Sequence, residues 1–185
     1  IQAITINSTG NVGIGTGSAT SIQGFSKVLK VEGTSSSSMV VSGGVHEAEY
    51  AVSSSGGWFG TATNIPQRFV TNNVERLRLD TAGNAGLGVT PAAWHSGWKA
   101  LQIGPVGFVG SYQIGATDIT ALGCNVFSDG AYKYLQTDQA VIYKQQDGEH
   151  IFDVAASGSA GSAISWNTAM TINNAGNILL GTGSL

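Results

Sequence analysis

Two acidic side chains of this sequence have the spacing that glycoside hydrolysis could use. A glycosidase needs a pair of carboxyl groups roughly 5–10 Å apart, one serving as acid and the other as base or nucleophile. Glu47 and Glu49 are two residues apart, so on a strand they share one face, and His46 lies beside them. The alternative is a solvated polar strand face, and the pattern favours this alternative over a catalytic pair.

A second acidic group comprises Asp147, Glu149 and Asp153. Asp-Gly pairs are typical of hairpin turns, because both residues tolerate positive φ angles. Asp147-Gly148 and Asp129-Gly130 are therefore interpreted as turns. No catalytic residue is predicted, and the chain is expected not to be an enzyme.

The sequence gives little support for a metal site or for nucleophilic catalysis. The histidines, His46, His95 and His150, form no closely spaced pair of metal ligands. No Gly-x-Ser-x-Gly elbow occurs in a strand-to-helix setting, and no helix follows the glycine-rich triplets as a nucleotide loop would need. The single cysteine, Cys124, excludes an intrachain disulfide and is interpreted as a small buried apolar residue. No cofactor and no metal are predicted.

Aromatic side chains are the better candidates for binding. Exposed aromatic rings beside amides suit sugar recognition and mark recognition surfaces. The alternative is packing in the core or between subunits. The candidates for receptor binding are Trp94, Trp98, Tyr132, Tyr134 and Tyr143.

The composition limits the class of protein. Only 10% of the residues are charged, 42% are hydrophobic, and the net charge is −3. This argues against disorder, and the scattered Lys and Arg residues argue against nucleic acid as a partner. No apolar stretch is long enough to span a bilayer, so no membrane insertion is predicted. The densest charge cluster, Glu75, Arg76 and Arg78, is interpreted as a polar strand face that could pair with a neighbouring subunit.

A repeated pattern positions these residues. Gly-Asn pairs begin at Gly10, Gly83 and Gly176, which are 73 and 93 residues apart. Each pair is preceded by an apolar-polar-apolar triplet, and an Asn or Asp lies three residues before the glycine. A second alternation of apolar residues follows the pair. This pattern predicts a strand, a turn and a strand, and therefore a β-hairpin. The hairpins cover residues 4–15, 77–88 and 170–181.

The repeat extends beyond the hairpins. Residues 27–33 and 99–105 are both apolar-alternating strands that enter a glycine-containing turn. Three segments follow from this: the end of a preceding unit at 1–16, a β module at 17–90, and a longer β module at 91–185. About 20 extra residues are expected between Gly115 and Gly148.

Sixteen short strands and no long helix are predicted, with a short helical turn at 91–94. Loops are expected at 15–24, 33–38, 53–57 and 157–162. The strands are expected near residues 3–7, 11–15, 27–32, 38–42, 48–53, 57–60, 67–71, 75–80, 84–88, 99–103, 131–136, 140–145, 150–154, 163–166, 169–173 and 177–181.

These motifs resemble segments of bacteriophage tail fibres and tailspikes. The resemblance covers most of residues 70–185 and the first 16 residues. It is carried by GNVGIGT at 10–16, ERLRLDTAGN at 75–84, AWHSGWKALQIG at 93–104 and DGAYKY at 129–134.

The resemblance implies an all-β fold of tandem β-hairpin and β-sandwich-like modules in an elongated, intertwined homotrimer. It implies a structural and adhesive virion component, located outside the cell, which contributes to a trimeric shaft and to host attachment. The implied partners are identical chains, other tail proteins, and a host cell-surface polysaccharide or protein receptor. It also implies that an intramolecular chaperone of the endosialidase type could follow Leu185. A polysaccharide depolymerase tailspike and a trimeric bacterial surface adhesin stay open as alternatives.

Association also has a physical argument. Short strands in an isolated module have exposed edges, and stacked repeats need neighbours to complete a core. We therefore expect an isolated chain to leave part of its Leu, Ile and Val side chains uncovered.

Overall fold

A computed structural model describes residues 4–6, 8, 12–14, 29–31 and 36–181 of the chain. These residues form eighteen strands and no helix, which confirms the predicted all-β class. The chain divides into two compact units, Ile1–Ile65 and Pro66–Leu185.

The first unit contains two three-stranded sheets. One has the order β1-β2-β3, with β1 and β2 antiparallel and β2 and β3 parallel. The other is an antiparallel meander of β4, β5 and β6. The strands are β1 (Ile4–Ile6), β2 (Val12–Ile14), β3 (Leu29–Val31), β4 (Ser36–Gly43), β5 (His46–Ser53) and β6 (Gly56–Thr61).

The second unit is built on one ten-stranded sheet in the order β18-β17-β16-β15-β12-β11-β10-β9-β8-β7, accompanied by the two-stranded ribbon β13-β14. Among the described strands of this sheet, β9 and β10 pair in parallel and the other neighbours are antiparallel. The strands are β7 (Gln67–Thr71), β8 (Val74–Leu79), β9 (Ala85–Leu87), β10 (Trp98–Ile103), β11 (Gly107–Ile114), β12 (Thr117–Cys124), β13 (Val126–Ser128), β14 (Tyr132–Tyr134), β15 (Asp138–Gln146), β16 (Glu149–Gly158), β17 (Asn167–Ile172) and β18 (Ile178–Leu180).

The three predicted hairpins are present as β1-β2, β8-β9 and β17-β18. In the second hairpin, the Asp80 carboxylate accepts hydrogen bonds from the main-chain N–H groups of Ala82 (2.9 Å) and Asn84 (2.8 Å). Gly83 has a φ of 84°, in the left-handed region that an L side chain rarely adopts. The turn therefore has the Asx-x-x-Gly chemistry that the sequence predicted.

The third hairpin repeats this geometry. The Asn173 side-chain oxygen accepts hydrogen bonds from the N–H groups of Ala175 (3.1 Å) and Asn177 (2.9 Å), and Gly176 has a φ of 82°. Because an amide oxygen and a carboxylate oxygen accept in the same way here, Asn and Asp are interchangeable at this position of the repeat.

A parallel strand follows the first two hairpins. Val12 pairs with Leu29 across β2 and β3, and Ala85 pairs with Leu101 across β9 and β10. This accounts for the similarity of residues 27–33 to 99–105. The repeat boundary at residue 90 therefore falls inside the ten-stranded sheet, and the compact units divide at residue 65 instead.

Several local expectations were wrong. Strands β11, β12 and β13 occupy 107–128, where no strand was predicted. Residues 163–166 form no strand, apart from a single bridge between Ala163 and Lys133. Residues 91–94 have no helical turn. Strand β4 begins at Ser36, inside the predicted loop 33–38, and β16 continues to Gly158, inside the predicted loop 157–162. The predicted loop 53–57 is reduced to a tight turn, and the loop 15–24 lies outside the described residues.

Candidate subunit interface

One face of the ten-stranded sheet carries the core of the second unit. Residues that pair across neighbouring strands point to the same side, so the register assigns Trp98, Phe108, Ala121 and Ile142 to one face. All four are at most 2% exposed. These four side chains are covered within the single chain.

Irregular segments cover this face. Trp94, which precedes β10, packs its ring against Phe108 with ring centroids 4.7 Å apart. Phe127, Tyr132 and Trp166 join the same cluster from the segments around the β13-β14 ribbon and after β16. The strands therefore provide a platform, and the loops between them complete the core.

The opposite face of the sheet is also apolar, but it is open. Leu122 is 60% exposed, Val141 and Leu87 are each 47% exposed, and Leu180 is 76% exposed. We call this surface the apolar face. The register assigns to it Phe69, Leu77, Leu79, Leu87, Leu101, Ile103, Val109, Leu122, Cys124, Val141, Tyr143, Phe152, Val154, Met170, Ile172, Ile178 and Leu180.

The apolar face is larger than an ordinary surface patch. Ten strands about 4.8 Å apart make it about 43 Å wide. The largest apolar patch on a soluble monomer is about 300–600 Å², and larger ones mark contacts with other molecules. The residues just named are uncharged, but the register also assigns Lys99, Asp118 and His150 to this side of the sheet, so polar side chains interrupt the apolar surface.

Cys124 lies on this face and is exposed in the single chain. The prediction that it is a buried apolar residue was therefore wrong for one chain. Its neighbours across the sheet are Gly107 and Val141. The alternation of β12 assigns Cys124 to the open side and Ile119, Ala121 and Gly123 to the core.

The first unit also exposes apolar side chains on a sheet. Met39, Tyr50 and Phe59 pair across β4, β5 and β6, and each is more than half exposed. The rings of Tyr50 and Phe59 are 6.3 Å apart. Among the described residues, each unit thus exposes apolar side chains on one sheet surface.

The aromatic candidates for receptor binding fall into two groups. Trp94, Trp98 and Tyr134 are buried, at 6%, 2% and 5% exposure, so for these three the alternative of core packing describes their position. Tyr132 packs half-buried against Trp98 and Trp166. Tyr143 lies on the apolar face, stacked on Phe152 with centroids 4.8 Å apart.

The acidic candidates do not meet in one site. Glu47 is exposed on β5, and its neighbour Glu49 accepts a hydrogen bond from the Trp58 indole (3.3 Å). Asp147 lies in the β15-β16 turn with a φ of 52°, as the turn interpretation predicted. Asp153 is buried at 3% exposure on the core side of β16.

Asp153 belongs to a buried polar cluster that the sequence did not predict. Its carboxylate lies 2.8 Å from the Lys144 ammonium and accepts a hydrogen bond from the Thr168 hydroxyl (2.7 Å). The same ammonium lies 5.8 Å from the centroid of the Tyr132 ring. Burial, and then the negative charge of Asp153, raise the pKa of Tyr132 to about 12. The sequence gives little indication of this cluster, because Lys144 and Asp153 are nine residues apart and lie on different strands.

The charge cluster of β8 is paired within the chain. Arg78 donates to both Glu75 oxygens, from Nε at 2.7 Å and from Nη2 at 2.8 Å. This hydrogen bonding lowers the pKa of the Glu75 carboxyl below its ordinary value. Arg76 donates instead to the Thr71 hydroxyl (2.9 Å). Pairing of this cluster with a neighbouring subunit stays a prediction.

No protein-family model matches the chain, and it is similar to no curated protein and to no solved structure. In the part of the chain that the structure describes, no three His, Cys, Asp or Glu side chains are grouped so that they could hold a metal ion. A search of the same residues finds no helix with the length and hydrophobicity needed to cross a membrane. The proposed function is therefore based on the geometry of the sheet.

A polar groove of about 520 Å³ lies at one end of the sheet, beside the turns that join β11 to β12 and β15 to β16. Tyr112, Gln145 and His150 line it with Asp118 and Glu149. The Tyr143 hydroxyl is 2.6 Å from His150 Nδ1 at its border. Amides, carboxylates and aromatic rings in an open groove are the groups that bind sugar hydroxyls and sugar faces.

Proposed function

We propose that this chain is a structural and adhesive segment of a bacteriophage tail fibre, which forms a homotrimer through the apolar face and serves as part of the fibre shaft. The observation that carries the proposal is the apolar face, on which Leu122 and Leu180 are 60% and 76% exposed. Exposure of this extent is costly in water, at about 25 cal/mol per Å² of apolar surface. Contact with identical chains removes that cost.

Identical chains are the partner that the composition favours. Only 10% of all residues are charged, so the chain has few groups with which to attract a partner of opposite charge. A largely apolar sheet surface is complementary to another copy of itself, as in obligate oligomers. The tail-fibre motifs support a trimer as the form of association.

The adhesive part of the proposal rests on the polar groove. The groove combines amides and acids with the rings of Tyr112 and His150, and this combination suits neutral or weakly polar sugars of a cell surface. The carboxylates Asp147, Glu149 and Asp153 lie in different environments, and Asp153 is neutralised by Lys144. We therefore propose binding without hydrolysis.

The test is the oligomeric state of the whole chain. Sedimentation equilibrium of the wild-type protein is expected to give three times the 18.9 kDa mass of one chain. Leu122→Asp introduces a carboxylate on the apolar face, and burial of an unpaired charge costs several kcal/mol. We expect this variant to dissociate, with an association constant reduced by at least about a hundredfold.

Ser159→Asp is the matched control, because it adds the same charge at an exposed loop position away from the apolar face. It is expected to remain associated. Since Leu122 does not contribute to the covered core, near-ultraviolet circular dichroism from the buried tryptophans reports folding of both variants. A folded wild-type monomer, or a Leu122→Asp variant of unchanged mass, contradicts the proposed interface. Release of oligosaccharides from host polysaccharide contradicts the absence of hydrolysis.

A further inference from the structure

Among the described residues, the third hairpin has no parallel strand of the kind that the other two possess. In the first hairpin β2 pairs in parallel with β3, and in the second β9 pairs in parallel with β10. Strand β18 occupies the equivalent place in the third hairpin, and within the described residues it pairs with β17 alone. The same local structure therefore occurs twice with a parallel partner and once as a sheet edge.

The backbone groups that such a partner would bond are directed outwards. In β17-β18 the Gly181 N–H donates to the Ala169 carbonyl (2.9 Å), and the Asn173 N–H donates to the Asn177 carbonyl (3.0 Å). Successive residues of an antiparallel strand direct their main-chain N–H and C=O groups alternately towards the paired strand and away from it. Ile178 and Leu180 therefore direct these groups to the open edge. In the second hairpin the residue equivalent to Leu180 is Leu87, whose carbonyl accepts a hydrogen bond from Gly104 at the end of β10 (2.9 Å).

The asparagine of the Gly-Asn pair supplies a second, independent contact. The buried Asn84 side chain accepts a hydrogen bond from the Ala100 N–H of the parallel strand (3.1 Å). It also donates to the Asp80 carboxylate (3.3 Å), which fixes its orientation. Asn177 holds the same position in the third hairpin. Its main chain closes the turn, while its side chain is exposed and bonds to none of the described residues.

The third hairpin differs from the second in how a following segment can reach the edge. A Cβ on Gly86 would lie 2.1 Å from the Val89 carbonyl oxygen and 2.8 Å from the Pro91 ring, because residues 89–91 cross directly over this glycine. Leu179 stands at the equivalent position of β18. A leucine side chain leaves no room for a crossing as close as that over Gly86, so we infer that a strand arriving at β18 takes another path.

We propose that the open edge of β18, together with the Asn177 side chain, is an acceptor site for a parallel β-strand of the β10 type. Such a strand has apolar side chains at alternate positions and places an N–H group opposite the Asn177 amide oxygen. Addition of a strand to a sheet edge is an established mode of recognition, in which main-chain hydrogen bonds give affinity and side-chain alternation gives register. The added strand would extend the apolar face by one strand.

The described strands of this chain do not supply the occupant. In a second copy of this chain, the two strands of this type, β3 and β10, are already paired with β2 and β9. A second copy therefore has no free strand of this type among its described residues. The site is an edge of the sheet and not its face, so it is separate from the proposed trimer contact and can be tested separately.

The experiment uses the full chain and a peptide probe that copies residues 96–105, which contain β10. Gly104 bonds to β9, so by alternation Gln102 also directs its N–H to β9. A peptide with Gln102→Pro cannot donate there and is the control probe. We expect the first peptide to slow hydrogen exchange of the Ile178 and Leu180 amides by at least about tenfold, and the control peptide to have no effect.

Asn177→Ala in the protein removes the side-chain contact and leaves the turn, which depends on the Asn177 main chain. It is expected to weaken peptide binding about fivefold, which corresponds to one hydrogen bond of about 1 kcal/mol. Asn174→Ala, at the neighbouring exposed turn position, is the matched control and is expected to bind as the wild type does.

Three results would overturn the acceptor site: no protection of β18, equal binding of the proline peptide, or protection of Ile178 and Leu180 by self-association without peptide. Each is distinguishable from failure of the trimer proposal, which is decided by mass alone.

Discussion

At the scale of single residues, the cluster of Lys144, Asp153 and Tyr132 decides how the core side of β15 and β16 is stabilised. The ammonium and carboxylate are 12% and 3% exposed and lie 2.8 Å apart. An ion pair buried to this extent gains strong attraction but loses hydration, so its net contribution depends on the hydrogen bonds around it. Thr168 satisfies Asp153, whereas the buried Tyr132 hydroxyl has no hydrogen-bond partner among the described residues.

Tyr132→Phe is expected to stabilise the protein by about 1 kcal/mol at pH 7, because it removes a buried unpaired hydroxyl and keeps the ring beside Lys144. The pKa of Tyr132 is raised to about 12 in the folded chain, against an ordinary value of 10.0. A raised pKa means that stability is full below pH 10 and is lost as the pH rises towards 12. Urea unfolding of both proteins between pH 7 and pH 11 measures the effect.

The difference between the two proteins is expected to widen above pH 10, because only the wild type has this hydroxyl to ionise on unfolding. Other tyrosines and lysines titrate in both proteins and cancel in the comparison. Parallel pH profiles would show that Tyr132 is hydrated in solution, and a less stable phenylalanine variant would show that its hydroxyl is bonded.

At the scale of elements, the hairpins could be predicted because their determinants are local. Asp80 and Gly83 lie within one turn, and the side chain and the positive φ act on neighbouring backbone groups. The parallel pairing of β9 with β10 could not be predicted in this way. It depends on residues that are 16 apart in the sequence. The similarity of residues 27–33 to residues 99–105 was the one sequence feature related to this pairing.

Strands β11 and β12 were not predicted because glycine occurs both in turns and at closely packed positions within strands. Gly107, Gly110 and Gly115 break the apolar alternation of this stretch and suggest turns or loops. In the fold, a Cβ on Gly123 would lie 2.3 Å from the Phe108 ring, so this glycine makes room for a large core side chain. Close packing of this kind depends on the partner across the sheet and leaves no signal in the glycine itself.

The contrast between Gly86 and Leu179 gives a prediction about hairpins. Gly86→Leu is expected to destabilise the second unit by about 3 kcal/mol, because its side chain collides with the crossing segment at Val89 and Pro91. Leu179→Gly, the reciprocal change, is expected to cost about 1 kcal/mol, since no described segment crosses β18 and only strand propensity and packing are lost. Urea unfolding measures both.

Hydrogen exchange at Gly104 locates the damage, because its N–H bonds to the Leu87 carbonyl. This amide is expected to exchange faster in Gly86→Leu and at an unchanged rate in Leu179→Gly. Equal costs for the two substitutions would mean that the segment at 89–91 moves aside easily and that Leu179 does not exclude a similar crossing at β18.

At the scale of the whole molecule, the candidate interface was only partly visible in the sequence. The need to cover Leu, Ile and Val side chains was expected from the strand repeats. The sequence did not predict which apolar side chains are exposed. Strands β11 and β12 were not predicted, and without them the order of strands in the sheet could not be derived. Cys124 is the clearest case: its apolar character was recognised, but its place on the open face required the register of β12 with β15.

The same face gives the last prediction. If association completes the fold, unfolding includes dissociation, and the midpoint temperature rises with protein concentration. A hundredfold rise, from about 1 µM to about 100 µM, is expected to raise the wild-type midpoint by about 5 °C, as measured by calorimetry.

Leu122→Asp is expected to unfold at one lower temperature at every concentration, because its monomers are already separate. Sodium chloride should change the wild-type midpoint little, since salt screens interactions between charges and not the burial of apolar side chains. Sulfate should raise it, because sulfate strengthens apolar burial. A midpoint independent of concentration would mean that the exposed leucines cost less in water than their area implies, and that each chain is stable on its own.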